Sequence, residues 1–347
     1  LGTVADVVRL DANNRRLVAQ GLQRIRKGSL PVGLQALFEA AGRQPAQATS
    51  QDFGFSIGPR INAAGRLSDM TLGIECLSTD DSARARVLAQ QLDTINRERR
   101  DIEGDMREQA LRLADEMIDP EADMPSALCV YDPDFHEGVV GIVAARLKER
   151  HHRPTFVLAS SQAPGKENIL KGSGRSIPGF HLRDALDWIA KQHPELLLQF
   201  GGHAMAAGCS LHEDNLALFE QALQDVAQAW LDPATLTRCL ETDGPLAPEH
   251  CRVDVVQALQ SEVWGQGFAA PTFSEPLQVV SQRIVGEKHL ALKLRHHGQA
   301  VDGIWFGRTA AVPAQAWLAY RVEADEWQGQ RRVRFVIEGA QEPERVE

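Results

Sequence analysis

The feature that most constrains the fold of this 347-residue chain is an amphipathic run over residues 79–118. Apolar side chains recur there every three or four residues, as on the buried face of a helix: Leu88, Leu92, Ile95, Ile102, Met106, Ala110, Leu113 and Met117. Capping residues at Thr79 and Ser82 precede the run, and Pro120 ends it. Helices in globular proteins average about 11–12 residues, so we expect this one to connect two domains. The alternative is a shorter core helix broken at Gly104.

The chain changes character on both sides of this helix. Residues 1–78 are interpreted as the end of one domain plus a connector, with residues 2–8 as the end of a buried strand. From residue 127 to 228, β-rich runs alternate with helical ones, which predicts an α/β domain. Residues 233–347 are interpreted as a linker and five short strands, at 277–285, 290–295, 300–306, 316–323 and 333–338, typical of an OB-like barrel. The predicted fold class is therefore α/β plus all-β.

Composition excludes several classes of protein. The net charge of −10 disfavours a nucleic-acid partner only as an average, since residues 277–340 are locally basic. Five cysteines without a CxxC pair fit a reducing cytoplasm and argue against a disulfide framework and a structural zinc. No apolar run reaches the ~18–20 residues of a membrane span. The first residues lack both a signal peptide and a Met, so we expect the chain to begin inside a longer protein.

The Gly-rich residues 171–176 are a candidate phosphate site. They follow a predicted strand and lead toward a helix, so that Gly174 would let backbone N–H groups turn toward an anion. Arg175 would add a two-pronged hydrogen bond. The alternative is a structural turn that carries a surface arginine.

Two further Gly-rich segments are candidates of the same kind. In residues 200–208, His203 follows two glycines at a predicted loop-to-helix junction, where it would donate to a phosphate or lie near a metal. The alternative is tight packing around a buried His203. Residues 58–67 place Arg60 and Arg66 on a predicted rigid loop, with an ordinary surface turn as the alternative.

These segments together resemble the RecJ family of single-strand-specific DNA exonucleases, within the DHH phosphoesterase superfamily. The motifs run in the family's order, at residues 2–6, 58–67, 136–142, 174–176, 201–208 and 302–304. The resemblance covers essentially the whole chain. It implies a remnant of the DHH domain in residues 1–78, a connecting helix at 79–119, a DHH-associated domain at 122–232 and a single-strand-binding barrel.

The resemblance also implies roles for individual residues. Asp6 would be the catalytic carboxylate and a ligand of Mn²⁺ or Mg²⁺. The 5′-phosphate and the adjacent backbone would be bound by a set of residues from three motifs: Arg60 or Arg66, Ser173, Gly174, Arg175, Gly202 and His203. The barrel would bind single-stranded DNA through basic and aromatic side chains: Lys293, Arg295, Trp305, Tyr320, Arg321, Trp327, Arg332 and Arg334.

One absence bears on catalysis. No Asp-His-His triplet occurs in the sequence, and one aspartate cannot hold two ions about 3.5–4 Å apart. We therefore expect most of the catalytic domain to lie outside this chain, which would be inactive alone. The two His-His pairs, His151-His152 and His296-His297, follow arginines in other segments and are expected to be solvent-exposed.

The resemblance implies a 5′→3′ exonuclease of DNA repair and recombination that hydrolyses phosphodiesters with a metal. Its implied partners are single-stranded DNA, single-strand-binding protein and a helicase, with no membrane, in a cytoplasmic monomer. Two alternatives remain open. One is a DHH phosphodiesterase acting on short oligonucleotides or cyclic dinucleotides, which should lack the barrel and the long helix. The other is a non-catalytic DNA-binding module.

Overall fold

A computed structural model describes residues 1–118, 124–166, 168–327 and 329–341, apart from the side chains of residues 326 and 327. The chain divides into two compact units. The first comprises Leu1–Pro59, Leu77–Arg86 and Cys239–Glu347, and the second comprises Arg60–Cys76 and Val87–Arg238.

The N-terminal part of the chain is helical. Its helices are α1 (Gly2–Ala5), α2 (Ala12–Arg26), α3 (Val32–Ala40), the short α4 (Ser50–Asp52), α5 (Gly58–Leu67) and α6 (Thr71–Ser78), with a π-helical turn at Phe53–Ile57. The strand predicted over residues 2–8 is wrong. The N–H groups of Val4 and Ala5 donate to the Leu1 carbonyl. β-branched residues favour strands only where a neighbouring strand pairs with them, and these residues close a helical turn instead.

The long amphipathic run forms one continuous helix, α7 (Ser82–Glu116), of 35 residues. Asp81 caps its N-terminus, because its carboxylate accepts hydrogen bonds from the N–H groups of Ala83 and Arg84. The predicted helix is confirmed, and Gly104 does not break it. Three polar residues interrupt its buried stripe: Asp93, Asn96 and Arg99 are all buried, and Arg99 bonds to both Asn96 and Glu103.

The second unit contains a five-stranded sheet in the order β1-β2-β3-β5-β4. Its strands are β1 (Leu128–Tyr131), β2 (Thr155–Ser160), β3 (Ile169–Arg175), β4 (Gln199–Gly202) and β5 (Ala206–His212). Three helices accompany them, α8 (Val140–His151), α9 (Leu182–Gln192) and α10 (Leu216–Trp230). Only β1 and β2 are parallel. The predicted α/β architecture is confirmed, with β4 as an additional strand.

Side chains of β2 alternate between two cores. Phe156 and Leu158 pack with residues of α9 and α10, whereas Val157 and Ala159 pack with residues of α8 and α7. Full burial of a side chain the size of Phe156, Val157 or Leu158 stabilises the fold by roughly 1.5–3 kcal/mol. The sheet is therefore covered on both faces. Because successive side chains of a strand point to opposite faces, a residue's position in the strand determines which helices it packs against.

Strand β3 is longer than predicted and includes Gly174 and Arg175. Gly174 pairs with Phe156 on one side and Ala207 on the other. Its N–H thus belongs to the sheet, so the predicted turn with a backbone anion site at Gly174 is wrong. A Cβ at Gly174 would lie 2.6 Å from Phe156 and 2.7 Å from Leu182. This glycine is required by packing.

The segment around His203 is a turn between two strands, not the predicted loop-to-helix junction. The His203 N–H donates to the Ala206 carbonyl, and β4 and β5 pair on either side. Gly202 has φ +140°, and a Cβ there would lie 2.5 Å from the Ala206 carbonyl oxygen. Only glycine fits that position.

In the first unit, residues after the short helix α11 (Val253–Ser261) form a closed five-stranded barrel. Its strands are β6 (Phe273–Val285), β7 (His289–His296), β8 (Gln299–Trp305), β9 (Gln315–Trp327) and β10 (Gln330–Gln341). The ring order is β10-β8-β7-β6-β9, with only β8 and β10 parallel. The five predicted strands and the barrel are confirmed. Within the described ranges, no helix combines the length and hydrophobicity needed to cross a bilayer.

We expect Gly174→Ala to destabilise the chain by about 1–3 kcal/mol, because the added methyl overpacks the core against Phe156 and Leu182. Gly201→Ala is the matched control, since a Cβ there meets nothing within 4 Å. Urea unfolding of both variants checks this. Equal midpoints for the two variants would contradict the packing role of Gly174.

Candidate functional site

The polar residues of β3 lie on one face of the sheet. Gly172 and Gly174 point toward the α9–α10 core, so Lys171, Ser173 and Arg175 point toward α8 by alternation. A polar row on a buried strand requires a polar environment. The N-terminal end of α8 supplies it here.

Arg175 lies against the first turn of α8. Its Nη1 donates to Ser173 Oγ at 3.1 Å and to the Gly174 carbonyl at 2.8 Å. A Cβ added at Gly141 would lie 2.8 Å from Ser173 Oγ and 2.9 Å from Arg175 Nη2. Gly141 therefore makes the room that the guanidinium occupies. Because the first N–H groups of α8 point out of the same helix end, they add a favourable dipole for an anion.

Arg66, in the last turn of α5, contacts the segment just before α8. Its Nη1 donates to the Gly138 carbonyl at 3.1 Å, and a Cβ at Gly138 would lie 2.4 Å from the Arg66 carbonyl oxygen. Burial lowers the pKa of Arg175, and the charge of Arg66 lowers it further. Burial likewise lowers the pKa of Arg66. We call Arg66, Ser173, Arg175 and the first turn of α8 the anion site.

The anion site has an excess of positive charge. In the described ranges, neither Arg66 nor Arg175 has a carboxylate within the 4.0 Å of an ion pair. The neighbouring Lys171 is neutralised by Glu137 at 3.0 Å. Two partly desolvated guanidiniums that lie near each other repel each other. An anion bound by both would offset this repulsion. The arrangement suits a phosphate group, which arginine binds with two parallel hydrogen bonds.

The other residues predicted for this site have different surroundings. Arg60 is buried and lies 2.9 Å from Asp93 through both Nε and Nη2. It lies in helix α5, so the predicted rigid loop is corrected. His203 is exposed, which excludes the alternative of a buried core histidine. Its turn is fixed beside the end of β3, because the Ser176 N–H donates to the Met205 carbonyl.

Asp6 alone does not fit a two-metal centre. It is exposed and forms the C-cap of α1. Among the described residues, the group of three side chains with metal-ligand spacing is Glu275, His296 and His297, and Asp6 is not part of it. Two ions held about 3.5–4 Å apart need more ligands than one carboxylate supplies.

A second polar region lies on the barrel. Lys293 on β7 and Arg332 on β10 both form ion pairs with Asp302 on β8, which lies between them. A cleft of about 520 Å³ opens beside these three residues and is also lined by Arg252. Arg252 is itself paired with Asp254, and Arg332 has a second carboxylate partner, so the positive charge around the cleft is balanced by neighbouring carboxylates. Arg252 was not among the sequence candidates, because it precedes α11 outside any predicted strand.

The remaining basic candidates on the barrel lie in two settings. Arg295 is exposed on β7. Arg321 Nε bonds to Glu338 at 2.7 Å, and Arg334 Nε bonds to Glu323 at 2.7 Å. The outward orientation predicted for Arg332 and Arg334 is confirmed by their partial exposure. The alternation of side chains along one strand could not predict their carboxylate partners, which lie on neighbouring strands.

The aromatic candidates need one correction. Tyr320 is fully buried, stacks on Phe335 at 4.0 Å and bonds to Glu275, so it is a core residue and not an exposed platform. Trp305 is half-buried beneath Arg308. The side chain of Trp327 lies outside the described residues. Phe306 and Trp317, about half exposed, were missed, because a strand's alternation does not identify which face is covered.

The expected exposure of the His-His pairs is largely wrong. The side chain of His151 is only 8% exposed, and His296 is buried, whereas His297 is 46% exposed. His152 ends α8 in the left-handed conformation, and its Nε2 lies 3.2 Å from the Thr235 carbonyl. The arginine that precedes each pair suggested exposure, but it gave no information about the other elements against which these rings pack.

Comparison with known proteins finds matches to two family models. Residues 125–229 match the DHHA1 domain, and residues 242–339 match the RecJ OB domain. The chain is 45% identical over 350 residues to the single-stranded-DNA-specific exonuclease RecJ of Dickeya dadantii, covering 97% of this chain and 59% of that protein. It is 33% identical to RecJ of Thermus thermophilus, covering 100% of this chain and 48% of that protein.

Solved structures agree with these matches. The crystal structure of Thermus thermophilus RecJ in complex with Mn²⁺ superposes with a TM-score of 0.81 at 31% identity, covering 100% of this chain and 49% of that one. The complex of the same protein with Mg²⁺ has a TM-score of 0.80. The chain thus spans about half to three-fifths of the relatives it matches.

We expect Gly141→Ala to weaken phosphate binding about tenfold while changing stability little. The new methyl would displace the flexible ends of Arg175 and Ser173, not backbone. Calorimetric titration with a 5′-phosphorylated dinucleotide, alongside urea unfolding, checks this. An unchanged affinity would mean that Arg175 is not positioned by the first turn of α8.

Proposed function

Because this chain is a homologue of the RecJ exonucleases, with a DHHA1 domain and a RecJ OB domain, we propose that it belongs to a 5′→3′ exonuclease specific for single-stranded DNA. In this proposal, the anion site binds the terminal 5′-phosphate and the barrel binds the strand further along. The observation that carries the proposal is the pair Arg66 and Arg175, which lacks a carboxylate partner among the described residues.

The anion site would give the enzyme its polarity. A terminal phosphate carries more negative charge and more free oxygens than an internal phosphodiester. Arg175 would take one edge of this phosphate, Ser173 and the first N–H groups of α8 would donate to it, and Arg66 would balance its charge. Once the terminal phosphate is bound, its position determines which phosphodiester bond is placed for cleavage. The residues of this chain would therefore position the substrate and leave bond cleavage to other groups.

Hydrolysis itself would depend on Mn²⁺ or Mg²⁺, the ions in the Thermus thermophilus RecJ complexes. Such ions activate a water and stabilise the charge that develops on the phosphate. Asp6 would contribute one carboxylate, and the further ligands are not among the residues described. We therefore propose that this chain alone binds DNA without cleaving it.

The barrel would bind the strand through its cleft and its exposed rings. In OB folds, the second and third strands form the binding face, and these correspond to β7 and β8, which carry Lys293 and Asp302. Ion pairs with Asp302 hold Lys293 and Arg332 in fixed positions, and phosphates would compete for them. Phe306, in edge-to-face contact with His289 at 5.2 Å, would offer a face for base stacking.

The two alternatives account for less of the structure. A phosphodiesterase for short oligonucleotides or cyclic dinucleotides has no use for a closed barrel or a 35-residue helix, and this chain has both. A purely non-catalytic module would use the same two surfaces, but its relatives are named exonucleases. We further propose single-strand-binding protein and a helicase as partners, and a monomer that acts in the cytoplasm.

We expect Arg175→Ala to lower the affinity for a 5′-phosphorylated single strand roughly 10- to 150-fold, corresponding to about 1.5–3 kcal/mol for a charged hydrogen bond. Affinity for the same strand with a 5′-hydroxyl should change little. Fluorescence anisotropy with both strands and a duplex, over a salt series, measures these affinities, and a gel tests for cleavage.

Arg183→Ala, which removes an exposed arginine from α9, is the matched control for charge. If Arg175→Ala and Arg183→Ala weakened both strands equally, the arginine would act through general electrostatics, and 5′ recognition would lie elsewhere. Cleavage that survives repurification would contradict the proposal that this chain is inactive alone.

We expect Phe306→Ala to weaken binding of a long single strand by roughly 1–3 kcal/mol through the loss of one stacked base. Binding of a 5′-phosphorylated dinucleotide should not change. Trp317→Ala removes a comparably exposed ring from β9 and tests whether stacking is confined to the β7–β8 side. Identical binding of the long strand by wild type and Phe306→Ala would exclude this ring as a platform.

A further inference from the structure

A buried carboxylate in the barrel is surrounded by two histidines whose positions the proposed DNA contacts do not explain. Glu275 on β6 is 6% exposed, and His296 at the end of β7 is 1% exposed. His297, the next residue, is 46% exposed in its side chain. One ligand atom from each of the three residues lies within 4.8 Å of the others.

The distances within this cluster are long for ion pairs. His296 Nε2 lies 3.4 Å from Glu275 Oε1, and His297 Nε2 lies 3.3 Å from Glu275 Oε2. A charge-assisted N–H···O bond is about 2.7–2.9 Å. Neither imidazole therefore forms a close hydrogen bond with the carboxylate, although both rings point a nitrogen at it.

The 3.3 Å between His297 Nε2 and Glu275 Oε2 suits two ligands of one metal ion, and His296 offers a third ligand atom in the same cluster. With metal–nitrogen and metal–oxygen bonds of about 2.0–2.2 Å, neighbouring ligands of a tetrahedral zinc ion are roughly 3.3–3.5 Å apart. Two imidazoles and one carboxylate are a known donor set for Zn²⁺. We propose that Glu275, His296 and His297 form a Zn²⁺ site at the end of the barrel, which revises the expectation, based on the cysteines, of no structural zinc.

The surroundings of Glu275 fix it in place as a ligand. Tyr320 Oη donates to Glu275 Oε1 at 2.6 Å, and the Leu246 N–H donates to the same oxygen at 3.1 Å. Such hydrogen bonds orient metal-binding carboxylates and increase affinity. Since Oε1 receives both donors, Oε2, which faces His297, is left for the ion.

The turn that carries His297 holds its ring near Glu275. His297 has φ +45° and Gly298 has φ +84°, and together they form the two-residue turn between β7 and β8. Among residues other than glycine, Asn, Asp and His adopt a positive φ most readily. The imidazole of His297 is thereby directed toward Glu275, whose Oε2 lies 3.3 Å from His297 Nε2.

One contact must change when zinc binds. His296 Nε2 lies 3.0 Å from the Leu246 carbonyl and donates to it in the metal-free form. Zinc at Nε2 would require this proton to move to Nδ1, so that the neutral imidazole binds the ion through Nε2 and the hydrogen bond to Leu246 is lost. The competing interpretation is a carboxylate–imidazole network that never takes up a metal, and the experiment below separates the two.

The test uses the full chain with Cys239→Ser, which removes the exposed thiol that would bind zinc adventitiously. After treatment with a chelator, the protein competes with a chromophoric zinc indicator. One Zn²⁺ per chain is expected, together with a higher melting temperature. His297→Asn should bind zinc at least tenfold more weakly and still fold, because asparagine suits the turn. His212→Gln, which changes an exposed histidine in the other unit, should bind as wild type.

Equal zinc affinity in wild type and His297→Asn would overturn the proposal, as would the absence of saturable binding. Glu275→Gln provides a second variant that keeps the shape of the side chain and should also weaken binding at least tenfold. With Co²⁺ in place of zinc, the absorption spectrum should show a tetrahedral site that His297→Asn abolishes; an octahedral spectrum, or one insensitive to His297→Asn, would also overturn the site. None of these readouts depends on DNA binding, so the proposed function can fail without this inference failing.

Discussion

Strand β3 crosses the centre of the α/β sheet only because residues 172 and 174 have no side chains. A Cβ at Gly172 would lie 2.9 Å from Cys209 Sγ, and one at Gly174 would meet Phe156 and Leu182. The strand can thus lie close against the α9–α10 core. Lys171, Ser173 and Arg175 alternate with the two glycines and point to the opposite face of the sheet. The chemistry on one face of the strand depends on the absence of atoms on the other.

The arginines described above differ in the groups that neutralise their charge. Arg60, Arg321 and Arg334 each bond to a carboxylate, so their charges are compensated within the fold. Arg66 and Arg175 bond to a hydroxyl and to backbone carbonyls and form no ion pair among the described residues, although the lowering of the Arg66 pKa by burial is partly offset by the charge of Glu103. An arginine that bonds to a carboxylate stabilises the fold, whereas an arginine that bonds only to neutral oxygens can bind an external anion. The composition of the chain does not reveal this distinction.

The sequence predicted the elements whose signal is local. The spacing of Leu88, Leu92 and Met106 defined α7, and alternation located the barrel strands to within a few residues. The turn at Gly174 and the exposed Tyr320 were predicted wrongly, because both depend on a strand that pairs from elsewhere in the chain. The proximity of Arg66 to Arg175, and of Glu275 to His296, joins residues far apart in sequence, and periodicity contains no information about it.

The barrel closes through its last strand, since β10 pairs with both β9 and β8. The β9–β10 pairing is a local hairpin, whereas β8 and β10 join residues distant in sequence, such as Asp302 and Arg334, and such contacts form late. A ribosome would therefore expose residues 273–327 for some seconds before residues 330–341 could complete the ring. Until then β8 and β9 would each present an unpaired edge, the kind of surface on which chains aggregate. The order of synthesis thus leaves the edges of β8 and β9 as the last surfaces of the barrel to be covered.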